Sequence, residues 1–159
     1  MEPVRPLTEP TRTHGETMKK QPHPLIRSYM TPAPYTIAPD QMLTEAHAIM
    51  RGHRIRHLPV LRKGKVVGIV TQRDLMLIET LPDVNPAEVP VEDAMSRDVF
   101  AVSPRTPLAK VATEMADRKL GSAVVLDRDL VVGMFTVTDA CQALAKLFSA
   151  KRPQRRPIH

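Results

Sequence analysis

The sequence contains two copies of one pattern, separated by a constant offset of 65 residues and aligned without a gap. Matching positions include Met30 with Met95, Met50 with Met115, Val66–Gly68 with Val131–Gly133, Thr71 with Thr136, and Asp74 with Asp139. A repeat of this length usually marks one folding unit used twice, each copy burying a surface that the other supplies. Because a unit of about 60 residues is marginally stable alone, we expect the copies to share a core.

Composition restricts both the core and the cellular context. Of the 159 residues, 42% are hydrophobic but only 3% are aromatic and none is Trp, so aliphatic side chains must fill the core. The apolar stretches are short and broken by charge, which predicts no membrane span and no export signal. A single cysteine, Cys141, fits a reducing compartment. We therefore expect a cytoplasmic protein.

Proline and charge mark the segments outside the repeats. The net charge is +6, but residues 25–150 carry 15 Lys and Arg against 14 Asp and Glu, so the body is nearly neutral. Residues 1–24 hold five of the 16 prolines, which predicts a flexible arm. The remaining predicted segments are repeat 1 at 25–82, a linker at 83–90, repeat 2 at 91–148, and a disordered basic tail at 149–159.

Each repeat shows the order strand, helix, strand, strand, helix. Leu43, Ala46 and Met50 recur at the i, i+3, i+7 spacing of an amphipathic helix, as do their partners 65 residues later. The other predicted elements are extended segments at 35–37 and 100–102, strand pairs at 58–61 with 66–70 and at 123–126 with 130–135, turns at 63–64 and 128–129, and closing helices after Thr71 and Thr136. This pattern predicts an α/β fold of two β-α-β-β-α repeats.

Two segments resemble a known family. His57–Leu61, with the sequence HLPVL, and Gly68–Asp74, repeated as Gly133–Asp139, resemble the cystathionine β-synthase (CBS) domain, which occurs in tandem pairs. The resemblance spans about residues 25–148. It implies a Bateman module, in which two repeats pack about a pseudo-twofold axis and form two clefts for adenosine derivatives. AMP, ADP, ATP and S-adenosylmethionine are the regulatory ligands that it implies.

The repeated Thr and Asp positions fit nucleotide chemistry. Thr71 and Thr136 stand where a strand changes to a helix, so a hydroxyl and free N–H groups would meet the positive end of a helix dipole, which favours phosphate. Asp74 and Asp139, in the first helical turn, could accept hydrogen bonds from ribose hydroxyls, the role that the resemblance implies for them. The alternative is that each Asp only caps its helix and each Thr only ends a strand.

The resemblance also implies the other residues of two unequal clefts. The first cleft would contain Pro34, Tyr35, Ile55, Arg56, His57, Ile69, Thr71, Arg73 and Asp74. The second would contain Val99, Phe100, Leu120, Gly121, Ser122, Met134, Thr136, Thr138 and Asp139. Residues 51–65 carry six Lys or Arg and no acid, so the first cleft should favour an anionic nucleotide, unless these cations form a solvated face. The second should take a ligand with less phosphate, or none.

Other functions have less support in the sequence. We find no catalytic motif and predict that the protein is not an enzyme. His47, His53 and His57 lack the spacing of a zinc site, so we predict no metal. We expect a homodimer formed through apolar faces at 75–81 and 140–148, and a separate effector protein. Two alternatives stay open: a dimerisation module with degenerate clefts, and nucleic-acid binding through the basic tail.

Overall fold

A computed structural model describes residues 23–149. The predicted arm and basic tail therefore lie outside the described residues, apart from His23, Pro24 and Ser149. The elements in chain order are a 3₁₀ turn (Ile26–Ser28), β1 (Thr31–Pro32), α1 (Leu43–His53), β2 (His57–Arg62), β3 (Lys65–Thr71), α2 (Gln72–Glu79), α3 (Val91–Ala94), β4 (Ala101–Val102), α4 (Leu108–Asp117), β5 (Ser122–Asp127), β6 (Leu130–Thr136) and α5 (Val137–Ser149).

The two predicted hairpins are present and correspond to each other. Strands β2 and β3 pair antiparallel, as do β5 and β6. Lys63 and Gly64 in the first turn, and Arg128 and Asp129 in the second, all have positive φ. Two consecutive residues of positive φ match the twist of the strands that such a turn joins. Both hairpins therefore form as the sequence predicts.

The remaining pairings are stronger in the second copy. Strands β1, β6, β5 and β4 form a four-stranded sheet in that order, whereas β2 and β3 are extended only by single bridges, Ile37 to Val60 and Ile69 to Ser96. The predicted strand at 35–37 is therefore wrong, since only Ile37 pairs. Pro34 and Pro39 flank this segment and cannot donate ladder hydrogen bonds.

The opening segment of each repeat packs on the other repeat. Ile26 is fully buried in the core of the second copy, and its N–H donates to the Thr106 carbonyl oxygen at 2.9 Å. Val91, its counterpart, is fully buried in the core of the first copy, and its N–H donates to the Gln41 carbonyl oxygen at 2.8 Å. This reciprocal exchange is the contact that a pseudo-twofold pair requires.

Two glycines make room for the exchange. A Cβ added to Gly68 would collide with the Met95 side chain and would lie 2.9 Å from the Ser96 carbonyl oxygen. A Cβ added to Gly133 would collide with the Met30 side chain. Each methionine thus lies directly against the central strand of the opposite hairpin, where only a glycine fits.

The buried side chains form two clusters instead of the single shared core expected from the sequence. The first consists of Ile37, Leu43, Ala46, Met50, Leu58, Val60, Val70, Leu75 and Val91. The second consists of Ile26, Leu108, Val111, Met115, Ala123, Val125, Phe135 and Ala143. The copies still depend on each other, because each cluster is completed by a residue from the opposite repeat's opening segment.

Among residues 23–149, the structure contains no helix that combines the length and the apolar character needed to cross a membrane. Even α5, with 13 residues, falls short of the roughly 20 that a spanning helix requires.

Candidate functional site

In the first copy, Thr71 and Asp74 form a capping box at the start of α2. The N–H and the hydroxyl of Thr71 donate to Asp74 Oδ2 at 2.8 and 2.7 Å, and the Asp74 N–H donates to the Thr71 hydroxyl oxygen at 3.2 Å. Thr71 is the N-cap residue. Both contacts to the carboxylate use Oδ2, so within the described part of the chain Oδ1 accepts no hydrogen bond. The capping role and a free ligand acceptor therefore coexist in one residue.

The second copy repeats this box and adds one contact. The N–H and hydroxyl of Thr136 donate to Asp139 Oδ2 at 2.7 and 2.8 Å, and the Asp139 N–H lies 3.4 Å from the Thr136 hydroxyl oxygen. In addition, the Thr31 hydroxyl donates to Asp139 Oδ1 at 3.0 Å. Asp139 is buried, with 8% of its surface exposed, whereas Asp74 is half-buried.

The residues expected to face phosphate do lie beside the capping boxes. His57 pairs with Thr71 across the first hairpin, and the Arg56 carbonyl oxygen accepts a hydrogen bond from the N–H of Gln72 at 2.9 Å. Arg56 is exposed. The adjacent first-cleft cation, Arg73, is exposed in the first turn of α2. Two cations and an imidazole thus border the same helix start.

The equivalent place in the second copy has no charge. Ser122 pairs with Thr136 across the hairpin, and the Gly121 carbonyl oxygen accepts from the N–H of Val137 at 3.2 Å. Thr138 is exposed in the first turn of α5. The backbone frame therefore repeats, while the side chains that could meet phosphate do not.

The apolar residues expected to hold adenine in the first cleft lie on three different segments. Tyr35 stacks on His53, with ring centroids 3.6 Å apart and an interplanar angle of 17°. Ile55 is half-buried against the first cluster, and Ile69 is half-buried in β3, bridged to the opening segment of the other copy. Pro34 is half-buried just before Tyr35. The structure brings Ile69 close to Thr71 along one strand, whereas Tyr35 contacts the end of α1.

In the second cleft, the corresponding residues are more enclosed. Met134 is buried and pairs with Thr31 of β1. Phe100 is half-buried and lies under the Arg118 guanidinium, 5.4 Å from its carbon to the ring centroid. The two others, Val99 and Leu120, are half-buried.

His57 links the two copies electrostatically. A Cβ on Gly121 would lie 3.0 Å from His57 Nε2, so the imidazole reaches the entrance of the second hairpin. Burial lowers the pKa of His57, the Arg56 charge lowers this pKa further, and the Asp74 carboxylate acts in the opposite direction. The neutral imidazole is therefore favoured, and it offers a hydrogen-bonding group between the clefts.

The three central histidines lie in separate environments. His47 Nε2 is 2.6 Å from Glu79 Oε1, His53 stacks on Tyr35, and His57 begins β2. Over the ranges that the structure describes, no three His, Cys, Asp or Glu side chains group closely enough to hold a metal ion.

Comparison with known families identifies the repeated unit. The model of the CBS domain matches residues 26–79 and again 91–146, well over half of the chain. This protein belongs to the CBS-domain family. The CBS domain-containing protein YhcV of Bacillus subtilis is 26% identical over 114 residues, which cover 72% of this chain and 81% of YhcV.

A second relative is much longer than this CBS pair. The L-aspartate semialdehyde sulfurtransferase of Methanocaldococcus jannaschii is 30% identical over 151 residues, covering 92% of this chain but only 28% of that enzyme. The similarity therefore concerns a minor part of the sulfurtransferase.

Solved structures share the whole CBS pair. AcuB from Vibrio cholerae superposes with a TM-score of 0.72 at 30% identity, covering 82% of this chain and 99% of AcuB. The CBS domain pair of protein MJ0100, in complex with 5′-methylthioadenosine and S-adenosyl-L-methionine, gives a TM-score of 0.70 at 28% identity, covering 82% and 100% of the two chains. The predicted α/β fold of two CBS repeats is thereby confirmed.

Three residues of these clefts were not predicted from the sequence. His53 covers the ring of Tyr35, Arg118 covers Phe100, and Thr31 binds Asp139. Thr31 directly follows the repeated methionine, so the exchange of opening segments would have suggested it. The two ring contacts have no comparable signal, because neither position belongs to a repeated pattern.

Proposed function

We propose that this CBS pair is a regulatory module that binds an adenosine compound in its first cleft. The observation that carries the proposal is the Asp74 carboxylate, whose Oδ1 accepts no hydrogen bond from the described residues while Oδ2 is held by Thr71. A carboxylate fixed through one oxygen can accept the ribose hydroxyls through the other. The capping box therefore positions the acceptor before any ligand arrives.

The surroundings of Asp74 support an anionic ligand. Arg56, Arg73 and His57 border the start of α2, where N–H groups and the helix dipole already favour phosphate. The related MJ0100 pair binds 5′-methylthioadenosine and S-adenosyl-L-methionine, which share the adenosine unit. We propose AMP, ADP, ATP or S-adenosylmethionine as candidates, with the charge of the first cleft favouring the phosphorylated ones.

The output of binding would pass to another protein or to a second copy of this chain. We propose no catalytic role, and we propose cytoplasmic localisation from the sequence. The sulfurtransferase activity of the M. jannaschii relative is not transferred, because the match covers 28% of that enzyme.

Calorimetric titration of the full chain with AMP, ATP and S-adenosylmethionine tests the proposal. Asp74→Ala should weaken binding at the first cleft at least tenfold, because the carboxylate that receives the ribose is lost. The same change should lower the free energy of unfolding by about 0.5–2 kcal/mol, the usual value of a helix cap. Asp93→Ala, at an exposed acid of α3, is the control and should change neither.

Two results would overturn the nucleotide function. Absence of heat with all three ligands would leave the dimerisation module as the better description. Unchanged affinity of Asp74→Ala, together with lower stability, would mean that this carboxylate only caps α2.

We also propose that the module is a homodimer formed through α2 and α5. Each of these helices exposes large apolar side chains, and the exposed fractions are 57% for Met76, 65% for Leu77, 57% for Leu144, 38% for Leu147 and 68% for Phe148. Contiguous apolar exposure on two helices is typical of an interface. Their equivalent places in the two repeats would let a second copy cover both.

A charge on either helix should dissociate such a dimer. Leu77→Lys and Phe148→Lys should shift the mass measured by light scattering from two chains to one, since a buried unpaired charge opposes association. Leu130→Lys is the matched control, because Leu130 is 60% exposed but lies at the turn of the second hairpin. A parent protein that is monomeric at all concentrations would contradict the proposal.

A further inference from the structure

The two clefts differ at the acceptor that a ribose would use. In the second copy, the Thr31 hydroxyl donates to Asp139 Oδ1. Ser96 is the counterpart of Thr31 in the other opening segment, but its hydroxyl oxygen accepts from the Asp98 N–H at 3.3 Å. Asp74 Oδ1 is therefore free of this contact, although the two capping boxes are otherwise alike.

The Thr31 hydroxyl is held in place by its backbone. Thr31 pairs with Met134 in the four-stranded sheet, and the Ala33 N–H donates to the Val132 carbonyl oxygen at 3.1 Å. On the other side, Met30 lies against Gly133. Because contacts before and after Thr31 anchor the segment on β6, its hydroxyl faces Asp139 as part of the fold.

This contact competes with a ligand for the same atom. Asp139 Oδ2 already accepts two hydrogen bonds from Thr136, so Oδ1 is the remaining acceptor for ribose. Thr31 uses part of its capacity, and burial of Asp139 to 8% exposure leaves little access to the rest. A ribose hydroxyl would have to replace the Thr31 hydroxyl.

We propose that Thr31 determines the difference in ligand affinity between the clefts, by competing with ribose for Asp139. This inference rests on the proposed nucleotide function. The second cleft then binds an adenosine ligand more weakly than the first, and filling it displaces Thr31 from Asp139. Because Thr31 belongs to the opening segment of the first repeat, occupancy of the second cleft is linked to that segment.

The test isolates the second cleft and removes one hydroxyl. In an Asp74→Ala background, Thr31→Val keeps the side-chain shape and the strand propensity but cannot donate. Titration with AMP, ATP and S-adenosylmethionine should show binding about tenfold tighter than in Asp74→Ala alone, the value of one hydrogen bond to a charged group. Thr31→Ser, which retains the hydroxyl, should bind as weakly as the Asp74→Ala background. Ser96→Ala in the parent should leave first-cleft affinity unchanged.

The outcomes separate this inference from the proposed function. If the parent shows Asp74-dependent binding but Thr31→Val leaves the second cleft unchanged or weaker, Thr31 is structural or contacts the ligand, and the inference is overturned alone. If neither the parent nor Thr31→Val binds any of the three ligands, the nucleotide function is overturned and the inference with it. Circular dichroism should show the same folded spectrum for all variants, and Thr31→Ala replaces Thr31→Val if valine prevents folding.

Discussion

The two clefts of this CBS pair have the same backbone frame and different chemistry. In the first, Arg56 and His57 stand beside Thr71, and Asp74 keeps a free carboxylate oxygen. In the second, uncharged Gly121 and Ser122 take these places, and Asp139 is bound by a residue from the opposite repeat. The capping box thus preserves the helix start in both copies, because it serves stability whether or not a ligand binds.

The comparison teaches that duplication preserves local geometry more strongly than side-chain function. The hydrogen bonds of the two boxes agree within 0.2 Å, as in the 2.8 and 2.7 Å contacts from the Thr71 and Thr136 N–H groups. One residue outside each box, Thr31 or Ser96, changes the access to the carboxylate. Substitutions at matched positions are therefore the most direct way to test how independent the copies are.

Alanine at the two strand glycines should have the larger effect and should separate the copies. At Gly68, a Cβ would meet the Met95 side chain and a carbonyl oxygen at 2.9 Å, whereas at Gly133 the three nearest atoms all belong to the Met30 side chain. A backbone oxygen yields less readily than a flexible methionine. Since overpacking costs about 1–3 kcal/mol, we expect Gly68→Ala near the upper value and Gly133→Ala near the lower.

Urea unfolding of both variants measures this difference. Gly52→Ala is the control, because no atom lies within 4 Å of an added Cβ and the position is inside α1. That change should stabilise the protein by about 0.5–1 kcal/mol. Equal losses at Gly68 and Gly133 would show that both opening segments adjust to the same extent.

His57 should produce a smaller, pH-dependent difference between the copies. Burial holds the pKa of His57 below its unfolded value of about 6.5, so the folded state binds this proton less readily than the unfolded state. Stability is then fully present above pH about 6.5 and falls as the pH drops through the depressed pKa. The second copy has Ser122 at the equivalent position and contributes no such term.

His57→Gln should therefore reduce the loss of unfolding free energy between pH 7.5 and 5.5. Denaturant titrations at the two pH values measure it, and His53→Gln is the control because His53 is exposed. An identical pH dependence in the parent and in His57→Gln would mean that other groups cause the acid destabilisation.

Much of the fold could be predicted because its signals are local. The i, i+3, i+7 spacing predicted α1 and α4, and the turn residues predicted both hairpins. The strand expected at 35–37 was wrong because the neighbouring prolines limit pairing to Ile37. The short helix α3 was not predicted, since four residues are too few to show a helical period.

The candidate site could be predicted only in part. The repeated Thr and Asp positions indicated where a strand meets a helix, and the structure places a capping box at each. Their roles toward a ligand stay predictions. The state of each carboxylate was beyond reach, because it depends on a residue from the other end of the chain.

The sequence alone determined the order of elements, the hairpins and the helix starts, because periodicity, turns and caps involve neighbouring residues. The tertiary structure decided which repeat each opening segment joins and which carboxylate stays accessible. The hydrogen bond from Thr31 to Asp139 joins residues 108 positions apart. Such a contact forms only after Ile26 and Met30 have packed on the second copy, since burial of those apolar side chains is what holds the hydroxyl in place.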